Sequence, residues 1–284
     1  MPAFAFPGQG SQVPGMGRDL FDLFPDHVRE ADEVLGWSVP ELCLGTDVER
    51  LGQTRFAQPA IFVVNVLGYL RFQRRCPSRP SYLLGHSLGE YCALHLAGAF
   101  DFRTGLALVA RRGELMAQAA SGAMAAVIGL DPARAASVTA GWPGGGIWVA
   151  NYNAPDQIVV SGRADQVPAA EQYFLGEGAT AYLPLRVSGA FHSPLMRPAE
   201  QEFARVLAGT PVSPPRIPVI SNLTARPYTA AELRPTLSAQ ISGSVRWTDS
   251  IRLLLDRGET RVVELGSRPM LTPMIQKIAA GRPG

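Results

Sequence analysis

The segment that most constrains how this chain folds surrounds Ser87. Residues 82–84 (YLL) form a short apolar run, which is typical of the end of a buried strand. Residues 85–89 (GHSLG) follow, and apolar side chains then recur at helical spacing over residues 93–97. The pattern predicts a strand, a tight turn with Ser87 at its tip, and a helix that begins near Leu88, and it matches the motif G-x-S-x-G.

This geometry favours a chemical role for Ser87. The two glycines let neighbouring backbone approach closely where a Cβ would collide, and the turn exposes the serine hydroxyl. The N–H of Leu88 and the N-terminus of the helix then point at whatever Ser87 attacks, where they favour a developing negative charge. The alternative is a chance match in which the serine only caps a helix. Because a nucleophilic serine needs a base, the histidines come next.

The chain has four histidines, and one of them is the best candidate for that base. His27 lies on a predicted helix among charged residues, and His95 lies on the helix after Ser87 and points away from its tip. His86 adjoins Ser87, so its ring cannot easily face the same hydroxyl. His192 lies on a loop at a predicted domain junction, where clefts form. A lone loop histidine is often an ordinary surface residue, and the pairing with Ser87 favours catalysis here.

Composition excludes several classes of function. The chain has 284 residues, of which 46% are hydrophobic, enough for a large core and about two domains. A formal net charge of +2 gives no basic excess for binding nucleic acid, and no apolar run reaches the roughly 18 residues of a membrane span. The three cysteines form no C-x-x-C motif, so we expect free thiols, no metal site and a cytoplasmic protein without a signal peptide.

A glycine-rich loop follows the first predicted strand. Residues 3–6 (AFAF) are apolar, and residues 7–12 (PGQGSQ) come directly after them. A dinucleotide-binding G-x-G-x-x-G motif is excluded because Val13 stands where the third glycine belongs. The loop can bring the backbone N–H of Gln9 close to a ligand, or it can be an ordinary turn, and the residues leave both readings open.

Two neighbouring arginines lie on a helix predicted over residues 102–120. Because successive helical residues are rotated by about 100°, Arg111 and Arg112 face different ways. An inward arginine among apolar neighbours needs an anionic partner, and Glu114 is the only carboxylate close by in the sequence. One of the two is therefore expected to be buried and in need of an anion.

The rest of the chain indicates an α/β fold with two domains. Residues 57–70 predict an apolar helix with Pro59 near its first turn. Residues 124–187 predict the order β-α-β-β-α-β, which is the ferredoxin-like unit, and strands alternate with helices elsewhere, which favours a parallel sheet covered on both faces. We expect a larger domain over residues 1–124 and 189–284, with a small inserted domain over residues 125–188.

Assembled in this order, the residues resemble a known family. The sequence is similar over almost its whole length to malonyl-CoA:acyl carrier protein transacylases and to the acyltransferase domains of polyketide synthases. Six segments carry the resemblance: residues 6–12 (FPGQGSQ), 85–90 (GHSLGE), 112–116 (RGELM), 151–155 (NYNAP) with 160–162 (VSG), 189–193 (GAFHS), and Gln240 ahead of 245–247 (VRW). The resemblance implies a large α/β-hydrolase-like domain with a parallel sheet and an inserted small ferredoxin-like domain.

The resemblance also implies a role for individual residues. Ser87 would be the nucleophile and His192 its base. The backbone N–H groups of Gln9 and Leu88 would form the oxyanion hole. Arg112 would bind the free carboxylate of a malonyl group.

A second group of residues would shape the site around these. Gln240 would help to orient His192 in place of the acid of a catalytic triad. Asn153, from the small domain, would lie near the site. Phe191 and His86 would contact the substrate.

The implied reaction is transfer of a malonyl group from malonyl-CoA, through a seryl ester, to the phosphopantetheine thiol of an acyl carrier protein. The coenzyme A thioester is then a substrate, and no cofactor is permanently bound. We expect a monomer whose partner is the phosphopantetheinylated carrier protein and which binds neither nucleic acid nor membrane.

The sequence leaves several pathways and functions to compare. Residues 189–192 (GAFH) are more like the malonyl-selective acyltransferases of polyketide synthases than like many fatty-acid transacylases, and no ketosynthase or carrier domain is present. A free-standing acyltransferase that supplies a polyketide synthase in trans is therefore the leading interpretation, ahead of a housekeeping fatty-acid transacylase or a domain excised from a longer protein. Arg112 argues against an acyl hydrolase that clears stalled chains. Intact Ser87 and His192 argue against a non-catalytic carrier-binding module.

Overall fold

The structure is a computed structural model that describes residues 1–119, 122–187 and 189–281. Its strands are β1 (Ala3–Phe6), β2 (Leu83–Gly85), β3 (Gly122–Ile128), β4 (Ile147–Ala154), β5 (Gln157–Arg163), β6 (Ala181–Pro184), β7 (Val219–Ile220) and β8 (Val262–Glu264). Its helices are α1 (Pro25–Leu35), α2 (Val39–Leu44), α3 (Val48–Gly52), α4 (Thr54–Arg75), α5 (Gly89–Leu96), α6 (Phe102–Gln118), α7 (Pro132–Ala140), α8 (Gln166–Ala169), α9 (Glu171–Gly176), α10 (Arg197–Ala208), α11 (Leu233–Ala239), α12 (Trp247–Asp256) and α13 (Thr272–Ala280). None of these helices is both long and apolar enough to cross a bilayer.

Four strands form a parallel sheet in the order β7-β2-β1-β8. Phe4 of β1 is paired with Leu83 of β2 on one side and with Val263 of β8 on the other. Every residue of β1 and β2 is buried, as expected for a parallel sheet covered on both faces. Because β1 and β2 run in the same direction, the loop after β1 and the turn after β2 emerge side by side at the same edge of the sheet.

A separate antiparallel sheet has the order β4-β5-β3-β6. Its elements follow one another as β3, α7, β4, β5, α8 with α9, and β6, in agreement with the predicted succession of strands and helices. This sheet packs on its helices through its own hydrophobic cluster, which includes Val127, Val160 and Phe174. The chain is therefore an α/β fold with one parallel and one antiparallel sheet.

Helix α4 begins earlier than its sequence predicts. The expectation that Pro59 stands near the first turn of a helix over residues 57–70 is wrong, since the helix starts at Thr54 and Pro59 lies inside it. A proline in a helix interior removes one backbone hydrogen bond and is unfavourable. All residues of the segment 57–67 are buried in α4, so tertiary packing outweighs the local preference.

Backbone hydrogen bonds hold the segment that follows α11 against β4 and His192. The N–H of Val245 donates to the carbonyl of Ala150 on β4 (2.8 Å), and the N–H of Tyr152 donates to the carbonyl of Val245 (2.9 Å). The N–H of His192 in turn donates to the carbonyl of Ile241 (3.2 Å). The N–H of Arg246 donates to the carbonyl of Asn222 (2.8 Å), which follows β7, so the segment after α11 is fixed between the two sheets.

Candidate active site

Ser87 lies in the turn between β2 and α5, as the sequence predicts. Its φ of 52° is in the left-handed region that residues other than glycine rarely adopt. An added Cβ at Gly85 would lie 1.9 Å from the carbonyl carbon of Gly89, and one at Gly89 would lie 2.0 Å from the carbonyl oxygen of Phe6. Both glycines are required for the turn to close and to pack against β1, and this tight turn presents the Ser87 hydroxyl.

Asn222 holds this turn in place, and the sequence analysis did not identify it. Its Oδ1 accepts a hydrogen bond from the N–H of Ser87 (2.6 Å), and its Nδ2 donates to the carbonyl of Gly85 (2.6 Å). The side chain is 1% exposed and follows β7, which pairs with β2. Sequence gives no signal for this contact because the two residues are 135 positions apart and only the sheet brings them together.

The ring of His192 contacts the Ser87 hydroxyl. Its Nε2 lies 2.8 Å from Oγ of Ser87. Its Nδ1 lies 2.9 Å from the carbonyl oxygen of Gln240 and 3.2 Å from that of Gly243. Carbonyl oxygens only accept, so Nδ1 carries the ring proton and Nε2 is free to accept from Ser87. Burial, and then the positive charge of Arg112, lower the pKa of His192 to about 3, so the ring is neutral near pH 7.

Gln240 orients His192 through its backbone carbonyl, not through its side chain as the place of a triad acid would suggest. The side-chain Nε2 donates to the carbonyl of Ser87 (2.8 Å) and to the carboxylate of Glu90 (2.9 Å). The side-chain Oε1 accepts from Arg112 (3.0 Å). One residue thereby connects the ring of His192, the turn at Ser87 and the guanidinium of Arg112.

Of the two neighbouring arginines, Arg112 is the buried one. Arg111 faces solvent and pairs with Glu114 (3.1 Å). Arg112 is 0% exposed. It donates from Nη1 to Oε1 of Gln58 (2.7 Å) and from Nη2 to Oγ of Ser87 (3.1 Å). In the described part of the chain its hydrogen-bond partners are uncharged. A buried guanidinium held only by neutral groups remains able to bind an anion.

The loop after β1 approaches the turn at Ser87 very closely. An added Cβ at Gly8 would lie 2.4 Å from the carbonyl oxygen of His86. The side chain of Gln9 is anchored, because its Nε2 donates to Oγ1 of Thr54 (3.1 Å). Within the three described ranges the N–H groups of Gln9 and Leu88 donate to no protein acceptor, so both are available to a ligand.

Three further predicted residues lie around the Ser87–His192 pair. Asn153 on β4 accepts a hydrogen bond from Nε2 of His86 (2.9 Å), so the antiparallel sheet contacts the turn that follows β2. Phe191 is 5% exposed and belongs to the main hydrophobic cluster. An added Cβ at Gly189 would lie 2.4 Å from Cε1 of the Phe191 ring, so this ring packs against the backbone close to His192.

Glu90 is a second buried polar residue that the sequence analysis missed. It is 0% exposed and accepts hydrogen bonds from Nε2 of Gln240 (2.9 Å), from the N–H of Asn222 (3.2 Å) and from the hydroxyl of Tyr228. Burial raises the pKa of its carboxyl to about 7. A signal existed in the sequence, because a carboxylate that opens an otherwise apolar helix needs partners from elsewhere in the fold.

A groove with a volume of about 590 Å³ reaches His192 from the surface. Its lining includes Trp148 and Tyr152 of β4 and the backbone around Gly243. Over the described ranges no three histidine, cysteine, aspartate or glutamate side chains are placed to hold a metal ion. The arrangement offers a serine hydroxyl activated by a neutral imidazole, two free backbone N–H groups and a buried cation, which together suit nucleophilic attack on an acyl group.

Comparisons with known proteins cover nearly the whole chain. The family model described as the acyl transferase domain matches residues 3–280. The polyketide biosynthesis malonyl CoA-acyl carrier protein transacylase BaeC of Bacillus velezensis is 48% identical over 279 residues, which are 98% of this chain and 96% of BaeC. The polyketide biosynthesis protein ThaF of Burkholderia thailandensis is 50% identical over 100% of this chain, which spans 25% of the length of ThaF.

A solved structure gives the same result for the fold. The crystal structure of the malonyl CoA-acyl carrier protein transacylase from Burkholderia pseudomallei superposes with a TM-score of 0.95 and 44% identity, and the match covers 100% of this chain and 99% of that one. The agreement of the family model, a relative of nearly equal length and a solved structure leaves one conclusion: the chain belongs to the acyl transferase domain family.

Proposed function

We propose that the chain transfers a malonyl group from malonyl-CoA to the phosphopantetheine thiol of an acyl carrier protein, through a malonyl ester on Ser87. One observation carries this proposal. The Ser87 hydroxyl lies 2.8 Å from the unprotonated nitrogen of His192 and 3.1 Å from the buried guanidinium of Arg112. The base and a cation that can bind a carboxylate thus both contact the oxygen of the nucleophile. The name of BaeC, a malonyl CoA-acyl carrier protein transacylase, supports malonyl-CoA and the carrier protein as the two substrates.

The first half of the reaction acylates Ser87. Its Oγ attacks the thioester carbon of malonyl-CoA while its proton passes to Nε2 of His192. The N–H groups of Gln9 and Leu88 receive the negative charge of the tetrahedral intermediate. The intermediate collapses, the C–S bond breaks, and the proton on His192 goes to the departing thiolate of coenzyme A.

Arg112 would select the acyl group. Its planar guanidinium matches a carboxylate through two parallel hydrogen bonds, which an ammonium could not form. An acetyl group would leave the buried cation unpaired, at a cost of roughly a few kcal/mol. A bound carboxylate would also offset the positive charge that helps to lower the pKa of His192, so a malonyl group would strengthen the base that acts on it.

The second half of the reaction reverses these steps with a different thiol. The phosphopantetheine thiol of the carrier protein gives its proton to Nε2 of His192 and attacks the ester carbon. The carbon–oxygen bond to Ser87 breaks, and Ser87 recovers its proton from His192. The kinetics are therefore expected to be ping-pong. The groove beside His192, with Trp148 and Tyr152 in its lining, supports a route for a long thioester arm.

We further propose the finer organisation of the chain. Residues 1–124 and 189–284 would form an α/β-hydrolase-like domain, and residues 125–188 a ferredoxin-like domain. The parallel order β7-β2-β1-β8 and the antiparallel order β4-β5-β3-β6 support the two assignments. The protein would be a cytoplasmic monomer that uses the coenzyme A thioester as substrate and holds no permanent cofactor.

The polyketide pathway is the setting that we favour. Both BaeC and ThaF carry polyketide biosynthesis in their names, and BaeC is nearly the same length as this chain. The role that we propose is therefore supply of a polyketide synthase in trans. Comparing transfer to carrier proteins of the two pathways separates this role from a fatty-acid one.

Intact-mass spectrometry tests the proposed function directly. The protein is incubated with malonyl-, methylmalonyl- and acetyl-CoA, and the expected result is a malonyl adduct that moves to an added phosphopantetheinylated carrier protein. Ser87→Ala should gain no adduct and keep its fold. A malonyl adduct on the Ser87→Ala variant would place the nucleophile elsewhere, and fast hydrolysis without transfer would favour an acyl hydrolase.

A further inference from the structure

A buried carboxylate, Glu90, contacts both Asn222, which holds the turn at Ser87, and Gln240, which holds His192 and Arg112. Glu90 lies on α5 three residues after Ser87, and it accepts hydrogen bonds from the backbone N–H of Asn222 and from Nε2 of Gln240. The Tyr228 hydroxyl donates to its other oxygen. Among the described residues, the donors to this carboxylate are therefore all uncharged.

The contact with Asn222 supports the nucleophile. Asn222 bonds the N–H of Ser87 and the carbonyl of Gly85 with its side chain, and its own N–H is fixed by Glu90. The turn has a strained φ at Ser87 and depends on these bonds to stay closed. Glu90 thus fixes the backbone of Asn222, and Asn222 holds the turn at Ser87.

The contact with Gln240 decides which way its amide points. A carboxylate can only accept, so the NH₂ end of the amide must face Glu90, where it also reaches the carbonyl of Ser87. The oxygen end must then face Arg112, whose Nη2 donates to it (3.0 Å). With the opposite orientation, two donors would face each other at Arg112.

The amide also separates two opposite charges. A carboxylate bonded directly to Arg112 would occupy the guanidinium and compete with an anionic substrate. With Gln240 between them, Glu90 offsets the buried positive charge from a distance while the guanidinium stays free. The buried site is close to neutral overall yet keeps a cation that can bind an anion.

We propose that Glu90 is a positioning residue which, as a carboxylate, fixes the amide of Gln240 and thereby holds Arg112 open for the carboxylate of the substrate. This inference rests on the proposed malonyl transfer. The protonated acid is bound differently, because it carries a donor where the Tyr228 hydroxyl donates to the carboxylate, so that hydroxyl would have to turn and accept instead. Protonation of Glu90 should therefore disturb the network and slow acylation.

The surroundings of Glu90 place this change near neutral pH. Burial raises the pKa of Glu90 to about 7, against the opposing effects of the Tyr228 and Gln240 hydrogen bonds and of the charge on Arg112. The other titratable groups close to it are Tyr91 and Tyr228, and burial raises the pKa of both. They stay neutral across this range, and His192, with a pKa of about 3 in the free protein, is unprotonated before substrate binds.

The test is the pH dependence of Ser87 acylation between about pH 5.5 and 8.5, followed by intact mass with malonyl-CoA. The wild type should lose rate as the pH falls through about 7. Glu90→Gln resembles the protonated acid at every pH. Its acylation rate should be about tenfold below the wild-type rate at pH 8, and its pH–rate profile should lack the fall in rate near pH 7, which is called the acid limb below. Tyr228→Phe removes a bond that stabilises the carboxylate, so its limb should move to higher pH.

A control variant and three outcomes separate the role of Glu90 from other causes of pH dependence. Glu114→Gln changes a half-exposed glutamate that pairs with Arg111, and its pH–rate profile should match that of the wild type. Any effect of titrating the phosphates of the substrate would appear equally in both proteins. If Glu90→Gln keeps the wild-type rate and limb, the inference is overturned. If that variant does not fold, an unshifted limb in Tyr228→Phe overturns it instead. A wild type that never gains a malonyl adduct overturns the proposed function itself, which the other outcomes leave intact.

Discussion

The Nε2 atom of His192 lies 2.8 Å from Oγ of Ser87, and both residues have a left-handed backbone, with φ of 57° and 52°. Such a conformation costs of order 1–3 kcal/mol at a residue other than glycine and persists only where the surroundings impose it. Asn222 holds the turn at Ser87, and the carbonyls of Gln240 and Gly243 hold the ring of His192. The contact between base and nucleophile is therefore preorganised by the fold.

Replacing His192 with alanine should slow both acylation of Ser87 and transfer to the carrier protein. The same Nε2 serves as base in both steps, and a general base contributes about 10²- to 10⁴-fold. The two half-reactions are measured separately by single-turnover intact-mass kinetics. If the rates were nearly unchanged, another base would be needed, and His86 would be the next candidate.

Replacing Arg112 with alanine should reduce the preference for malonyl over acetyl, mainly by weakening malonyl transfer. Among the described residues the hydrogen-bond partners of the buried guanidinium are neutral, so a carboxylate is the group that gains most from it. The measurement is kcat/KM for malonyl-CoA and acetyl-CoA in both proteins. Arg111→Ala is the matched control, since its side chain faces solvent beside Glu114 and should leave the ratio unchanged. An undiminished malonyl preference in Arg112→Ala would remove Arg112 from this role.

Phe191 should limit the size of the acyl group. Its ring is buried directly before His192. We expect it to lie beside the α-carbon of a bound malonyl group and to leave little room there for an α-methyl branch, and one methyl group in a pocket is worth about 1–3 kcal/mol. The wild type should prefer malonyl-CoA over methylmalonyl-CoA by roughly 10- to 200-fold, and Phe191→Ser should narrow that ratio at some cost to malonyl turnover.

The control for this prediction addresses stability. Removing a buried phenylalanine side chain costs about 3–5 kcal/mol, so the melting temperature is measured alongside kcat/KM. Phe191→Leu keeps most of the apolar contact and should narrow the ratio less. An unchanged ratio in a folded Phe191→Ser variant would mean that the ring only packs in the core.

His192 should also make the fold less stable in acid. The folded pKa is about 3 against an ordinary value of 6.5, so between these values the unfolded chain binds a proton that the folded ring does not. Its contribution to stability is present above about pH 6.5 and falls as the pH drops toward 3, by about 1.4 kcal/mol per pH unit.

Urea unfolding of the wild type and of His192→Ala at several pH values measures this contribution. The variant lacks the titrating ring, so on going from pH 6.5 to 5 the wild type should lose about 2 kcal/mol relative to it. The loss of packing in the variant adds an offset that does not depend on pH. Stability curves that stay parallel over this range would show that His192 is not held neutral by the fold.

Local sequence determined the parts of the site that depend on neighbouring residues. The glycines around Ser87 predict the turn, because an added Cβ at Gly85 or Gly89 would lie only 1.9 or 2.0 Å from the backbone of Gly89 or Phe6. The rotation of about 100° per helical residue predicts that Arg111 and Arg112 face different ways. The order of strands and helices predicts one parallel and one antiparallel sheet.

Tertiary structure alone decided the contacts that make these residues a site. Asn222 reaches Ser87 only because β7 pairs with β2, and Gln240 presents its carbonyl to His192 and its side chain to Arg112 only because its segment is fixed between the sheets. Packing also overrode local preference at Pro59, which lies inside a helix. Helical and strand periods describe neighbours along the chain, whereas a buried donor finds its acceptor wherever the fold places one, so no local pattern records such a pair.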